Sequence, residues 1–379
     1  MRLMSSTAAI SALILLAANP ANAEIRIGSV LSVTGPASFL GDPELKTLEM
    51  LVEELNANGG INGEEVVLIH YDDGGDANTA RTLATRLVED DEVVAVVGGS
   101  TTGVTLAVAP VFEENEIPFI SMAGAVSIID PVNPWVFKTP HTDRMACESI
   151  YTDLNARGLT SIGLISGQGG FGASMREQCI DVAPDYGITI VADETYGPRD
   201  SDMTPQLTSI AATDGIQAIV NPGFGQGPAI VTRNYAQLGI DLPLYQSHGV
   251  ASDAFIELAG DAANGVRLPG SATLVVDLLP DDDPQHDVVT AYRDAYVARY
   301  NEPVSTFGGY AYDAFWLMVN AIEAAGTTDG EAVREAIENT TGWVGVTGIF
   351  NMTPEDHMGL DLSAFRMLEI VDGHWTLVE

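Results

Sequence analysis

Lysine is nearly absent from this chain: among 379 residues only Lys46 and Lys138 are lysines, and 16 basic residues face 53 acidic ones, for a formal net charge of −37. A surface so short of positive charge repels phosphate backbones and anionic headgroups, which excludes nucleic acid and anionic lipid as partners. The excess carboxylates read as a solvated surface suited to a salty medium, where screening relieves their repulsion. Long apolar runs are also lacking, since nothing beyond the first residues approaches the ~20 uninterrupted apolar residues of a spanning helix. The histidines at 70, 141, 248, 286, 357 and 374 show no H-x-x-H spacing, and the acidic "DLLPDDDPQHD" and "YDDGGDAN" lack that of a calcium loop. No metal site is expected. Cysteine occurs only as Cys147 and Cys179, both on helix-like segments. In an oxidising compartment they stand either as one disulfide or as two buried thiols, and neither has the His and Asp neighbours of a nucleophile.

What is present begins with "MRLMSSTAAISALILLAANPANA", one Arg, a short apolar run and small residues ending Ala21-Asn22-Ala23. This is the pattern of a secretory signal peptide, cleaved after Ala23, and it predicts a periplasmic protein beginning at Glu24. The remaining length exceeds what one core usually supports, so two lobes are expected.

Apolar runs of strand length alternate with helix-period segments: "EIRIGSVLS", "EVVLIHYDD", "VVAVVGGS" and "IPFISM", with helices near 43–58, 78–91 and 102–116 between them. Continuous apolar strands separated by amphipathic helices predict a parallel sheet covered on both faces, a doubly wound α/β unit. The alternation breaks at "DPVNPWVFKTPHTD", then restarts with "SIGLIS", "ITIVADETY", "IQAIVNPG" and "PLYQSH". The same unit is built twice. After "VRLPGS" come helical segments without interleaved strands, then short strands in "GVTGIFN", "AFRMLEIV" and "HWTLV". These must return to complete the two lobes, so the chain crosses between them more than twice and makes a hinge with a cleft.

Ligands of open α/β sheets bind beyond the carboxyl ends of the strands, beside helix N-termini. In the first lobe those loops are "GGSTTG" and "SMAGA", where the hydroxyls of Ser100, Thr101 and Thr102 and the N–H groups of Gly124 and Ala125 suit a carboxylate, or merely cap a helix. In the second lobe they are "GQGGFG", "NPGFGQG" and "QSHGVAS", each with one large residue, Phe171, Phe224 or His248. "GQGGFG" follows a strand, opens a helix and precedes acidic Asp193 and Glu194, most of a dinucleotide fingerprint. Its alternative reading is an NAD-dependent oxidoreductase. Export and the lack of an adjacent acid–base pair weigh against it.

"IGSVLSVTGPASFLG", "ELNANGGINGEEVVLIHYDDGGD", "VVGGSTTGVTLAVAPVFEENEIPFIS", "GFGASM" and "AGDAANGV" resemble the leucine/isoleucine/valine-binding family of solute-binding proteins of branched-chain amino acid ABC importers, in order along essentially the whole mature chain. The resemblance implies a type I periplasmic binding protein fold with three hinge crossovers, no enzymatic activity, no cofactor, an inner-membrane ABC permease as partner and a monomeric state. A separate receptor partner is the other role open to the fold. Lobe 1 is expected at 24–140 plus 271–345 and lobe 2 at 141–270 plus 346–379. By the same resemblance Thr102, Ala123 and Gly124 bind a ligand carboxylate, with Thr101 of the same loop a further candidate, while Phe171, Phe224, Phe307 and His248 enclose the rest. The family's carboxylate for an α-ammonium group aligns with His248, its assisting Thr with Ala125, and a Tyr at the cleft mouth with Leu40. A buried ammonium without a carboxylate costs several kcal/mol. The expected ligand is therefore a small carboxylate, an amino acid or an apolar or aromatic acid. If His248 bound it as a cation, affinity would fall above pH ~6.5.

Overall fold

A computed structural model describes residues 24–378; the expected signal peptide lies outside them. Among the described residues no helix is long and apolar enough to cross a membrane. The first unit runs through β1 (Ile25–Leu31), α1 (Ser38–Ala57), β2 (Val66–Asp72), α2 (Ala77–Glu89), β3 (Ala95–Gly98), α3 (Thr102–Glu114), β4 (Phe119–Ser121) and β5 (Val136–Lys138). Its five strands form one parallel sheet in the order β2-β1-β3-β4-β5. Every residue of β3, β4 and β5 is buried, as a sheet covered on both faces requires. β5 corrects the sequence reading, which took this stretch as an irregular break. Three residues between prolines give too short an apolar run to show a period, yet they complete the sheet.

The second unit runs through α4 (Asp143–Ala156), β6 (Ser161–Gly167), α5 (Gly170–Val182), β7 (Thr189–Tyr196), α6 (Thr204–Ala211), β8 (Ala218–Asn221), α7 (Gln226–Gln237), β9 (Leu244–Gln246), α8 (Asp253–Ala259) and β10 (Arg267–Gly270). Cys147 on α4 and Cys179 on α5 form a disulfide, fully buried between the two helices, which decides between the two states the sequence left open.

The chain then recrosses. α9 (His286–Tyr300), α10 (Thr306–Ala325) and α11 (Gly330–Glu338) join the first lobe, where Tyr292 and Thr47 share a 2.8 Å hydrogen bond and Arg299 pairs with Glu53. A hairpin of β11 (Trp343–Val344) and β12 (Ile349–Phe350) follows, and β13 (Arg366–Val371) and β14 (His374–Leu377) add antiparallel strands to the second sheet, ordered β14-β13-β10-β9-β8-β6-β7.

The lobe boundary expected at 345 needs correction, because it cuts the β11–β12 hairpin. Both carboxylate oxygens of Asp313 on α10 accept from the hairpin's turn, from the N–H groups of Val346 and Thr347. His357 still belongs to the first lobe: its carbonyl accepts from Lys138 N–H at 3.1 Å and its ring faces the Val136 carbonyl at 2.9 Å. The third crossing therefore falls between His357 and β13, with the others at 138–143 and 270–272.

Candidate ligand-binding cleft

Each lobe places its strand-end loops against the other's, and between them lies a small cavity lined by residues of both. The floor is set by α3. Thr101 is the N-cap of α3, its hydroxyl accepting from Val104 N–H at 3.3 Å, so of the two threonines expected to bind ligand it is the one committed to capping. Thr102, first residue of the helix, is buried and borders the cavity, and its Oγ1 has no hydrogen-bond partner. A buried, unpartnered hydroxyl at the positive end of a helix is poised for an anion.

Ser100, which also borders the cavity, is held from behind: its Oγ accepts from Ser32 N–H at 3.1 Å and donates to Glu44 on α1. α1 approaches this closely because residue 41 is glycine; a Cβ there would lie 2.3 Å from the Ser32 carbonyl. Burial pushes the Glu44 carboxyl up to about 8, with the Ser100 hydrogen bond pulling down and the nearby Asp73 charge pushing further up. At neutral pH Glu44 is thus an uncharged acid, and no Asp or Glu lines the cavity among the described residues.

Gly124 follows β4 and forms the adjoining wall, its carbonyl fixed by Lys138 Nζ at 3.0 Å and Asp143 N–H at 3.0 Å. Glycine is required here by the closed lobes: a Cβ would meet Phe171 at 2.8 Å and His248 Nε2 at 3.1 Å. Ala123, expected beside it, does not border the cavity, and its N–H is taken by Ser121 Oγ at 3.1 Å, so the structure gives it no free donor. Lys138 is wholly buried behind this wall and burial lowers its ammonium to about 7, against the upward pull of Asp143.

The opposite walls are apolar. Phe171, on the first turn of α5, stands edge-on to Phe224 with centroids 6.2 Å apart, and Phe307 at the start of α10 completes the enclosure with Leu40, Met122 and Pro140. Phe39, which the sequence reading passed over, bridges the lobes across the mouth, 5.7 Å from Phe307 and 6.3 Å from Phe224. His248, after β9, stands edge-on to Phe171 at 5.3 Å and is 2 % exposed. Burial, then the charges of His141 and Lys138, hold its pKa well below the usual imidazole value. Of the two states the sequence left open for His248, burial favours the neutral ring, which offers hydrogen bonds rather than charge. Tyr310, one helical turn after Phe307 on α10, also lines the cavity and was not foreseen. Its signal in the sequence was that i, i+3 spacing from Phe307. Of the eight residues expected at the site, the cavity brings together Thr101, Thr102, Gly124, Phe171, Phe224, His248 and Phe307.

The dinucleotide reading fails on the same geometry. Gly170, in the glycine loop, lies against the other lobe, where a Cβ would be 3.6 Å from Gly103 N. The acidic residues are engaged, Asp193 by Arg176 Nε at 2.8 Å and Glu194 by Ser209 at 2.8 Å.

Two α/β lobes closed over one small cavity, with hydroxyl, amide and aromatic groups from both lobes around it, have the architecture of a solute-binding protein. The chain belongs to the periplasmic binding protein family, whose profile matches residues 24–373, a family of non-enzymatic binding proteins. It is 26% identical over 319 residues to the leucine-, isoleucine-, valine-, threonine- and alanine-binding protein of Pseudomonas aeruginosa, covering 84% of this chain and 83% of that one. It is 26% identical over 360 residues to Leu/Ile/Val-binding protein homolog 3 of Brucella melitensis, covering 94% of each. Among solved structures, an extracellular ligand-binding receptor from Rhodopseudomonas palustris HaA2 superposes with a TM-score of 0.87 at 29% identity, covering 94% of this chain and 100% of that one. The branched-chain amino acid transporter substrate binding protein LivJ of Streptococcus pneumoniae, in complex with isoleucine, shares the fold with a TM-score of 0.83 at 24% identity, over 94% of this chain and 99% of that one.

Proposed function

We propose that this protein, exported through a leader cleaved after Ala23, works in the periplasm as the monomeric solute-binding component of an ABC importer, and that its ligand is a small monocarboxylate with an apolar, ring-sized body rather than an amino acid. The carrying observation is the make-up of the cavity wall: an unpartnered Thr102 hydroxyl at a helix N-terminus stands among phenylalanines, and no carboxylate borders the space. The carboxylate would sit on Thr102 and the Gly124 N–H, and the body against Phe171, Phe224 and Phe307. An α-ammonium group would meet only neutral His248 and aromatic rings, and would lose its hydration without gaining an ion pair. The helix, glycine wall and Phe307 come from the first lobe and the other rings from the second, so a ligand touching both favours the closed state and presents it to the permease.

Calorimetric titration of ligand-free mature protein at pH 6, with leucine and benzoate in parallel, tests this. Benzoate should bind at least tenfold more tightly than leucine. Leucine binding as tight as or tighter than benzoate would show that the site accepts an ammonium, and the reading would fall.

A further inference from the structure

Beyond the aromatic wall of the cavity lies a second, outer hollow between the lobes, bordered by Gly35, Phe39, Gly225, Val250, Phe255 and Leu258. Three stretches of chain border both spaces: Leu40, Phe224 and Gly249 line the cavity, and the residues next to them, Phe39, Gly225 and Val250, line the outer hollow. The two spaces therefore share a partition, and Phe39 is the ring that spans it from lobe to lobe. On its own lobe it meets Phe307 nearly perpendicular at 5.7 Å; on the other it meets Phe224 at 6.3 Å and the backbone of Gly225, where a Cβ would lie 3.6 Å from the ring. Adjacent helical residues point about 100° apart, which is how Leu40 lines the cavity while Phe39 lies across its mouth. The ring is presented rigidly from the first turn of α1, because the chain entering that helix is held close on glycine: a Cβ on Gly35, at φ +79°, would be 2.4 Å from the Gly74 carbonyl. Phe39 is only half-buried and so contributes little to the core of either lobe.

We infer that Phe39 closes the outer end of the binding cavity, limiting how far a ligand extends from the α3 floor and slowing its release into the outer hollow. The inference rests on the cleft as the ligand site, part of the reading above, and not on which acid occupies it. Two consequences of the geometry carry it. Phe39 and Phe224 belong to different lobes, so opening the cleft must separate them, and aromatic pairs attract beyond the area they bury. The contact therefore holds the mouth shut over a bound ligand. Secondly, the ring is the only part of the partition with bulk to lose: Gly225 opposite it has no side chain, so truncating Phe39 leaves a gap that joins the cavity to the outer hollow. A ligand whose body continues past its first ring would then find an apolar path along Val250, Phe255 and Leu258 where the wild type has a wall. No charged side chain borders the outer hollow among the described residues, so the partition selects by length and not by charge.

Release rates and affinities of benzoate, leucine and 4-butylbenzoate, measured on wild type, Phe39→Ala and Phe39→Tyr, test the inference. Whichever of benzoate and leucine binds the wild type should leave Phe39→Ala about ten times faster, the size of effect expected from losing an aromatic pair and the area it covers. Phe39→Tyr, which keeps the ring, should restore the wild-type rate, and the melting temperature of the ligand-free protein should be nearly the same in all three. In the wild type 4-butylbenzoate should bind at least tenfold more weakly than benzoate; in Phe39→Ala the ratio of the two affinities, taken within the variant so that general losses cancel, should shift at least tenfold toward the longer acid. Unchanged release from Phe39→Ala would overturn the inference, as would a length ratio that is the same in wild type and variant. If leucine binds and benzoate does not, the carboxylate reading falls while leucine release still decides on Phe39. If neither binds, the cleft reading falls and the inference with it.

Discussion

Thr102→Val should weaken benzoate binding about 10- to 100-fold while leaving the melting temperature of the ligand-free protein nearly unchanged. A hydrogen bond to a charged acceptor contributes about 1.5–3 kcal/mol, and each 1.4 kcal/mol is tenfold in affinity. Valine keeps the β-branched shape, and because Thr102 Oγ1 has no partner within the protein, its removal strands no other group. Stability and affinity therefore separate at this position. The neighbouring Thr101 behaves in the opposite way. Its hydroxyl caps α3, so its loss falls on the helix, typically about 1 kcal/mol, and on binding only through the helix. Calorimetry of benzoate binding and a thermal melt on Thr102→Val decide the matter; wild-type affinity would move the carboxylate elsewhere in the cleft.

That contrast also shows where the sequence stops being informative. Continuous apolar strands of three to seven residues, broken by amphipathic segments, announce a doubly wound fold, and the restart at "SIGLIS" announces a second copy. The loops that flank the cavity follow from the rule that ligands bind at the carboxyl ends of strands. Composition does not say which of two adjacent threonines turns its hydroxyl to its own helix and which to the cavity, because both are suited to either task. Ala123 and Gly124 are a similar pair: one N–H is consumed by Ser121, a hydrogen bond between near neighbours that residue types do not announce. β5 was hidden by its prolines and its brevity, and the third crossing by the hairpin's attachment to Asp313, a contact 33 residues apart in sequence. The charge of His248 was left open by the sequence for a related reason. A histidine in a loop carries its ordinary pKa until the closing of two lobes removes it from water, and that closure is a property of the tertiary structure alone.

Glu44→Gln should make the protein more stable than wild type at pH 8 by several kcal/mol while changing it little at pH 5. The Glu44 carboxyl is raised by burial from 4.5 to about 8. Between those values the unfolded chain ionises while the folded protein keeps its proton, so stability falls by about 1.4 kcal/mol per pH unit, and the loss levels off only above pH 8. Glutamine resembles the protonated acid in shape and in offering a donor and an acceptor, and it has no charge to acquire. Asp313, Lys138 and the buried histidines titrate in both proteins and cancel in the difference, apart from Asp73, whose repulsion by Glu44 is itself removed. Urea denaturation of both proteins at pH 5, 6, 7 and 8 should show the difference growing steadily with pH. A constant difference would mean that Glu44 is ionised in the fold. The same proton matters to the ligand. While Glu44 is neutral, Ser100 presents the cavity with a dipole; once it ionises, a negative charge stands one hydrogen bond behind the carboxylate's wall. Benzoate affinity should therefore fall more steeply between pH 7 and 9 in the wild type than in Glu44→Gln, where only the loss of the Lys138 charge, centred near pH 7, remains to weaken it.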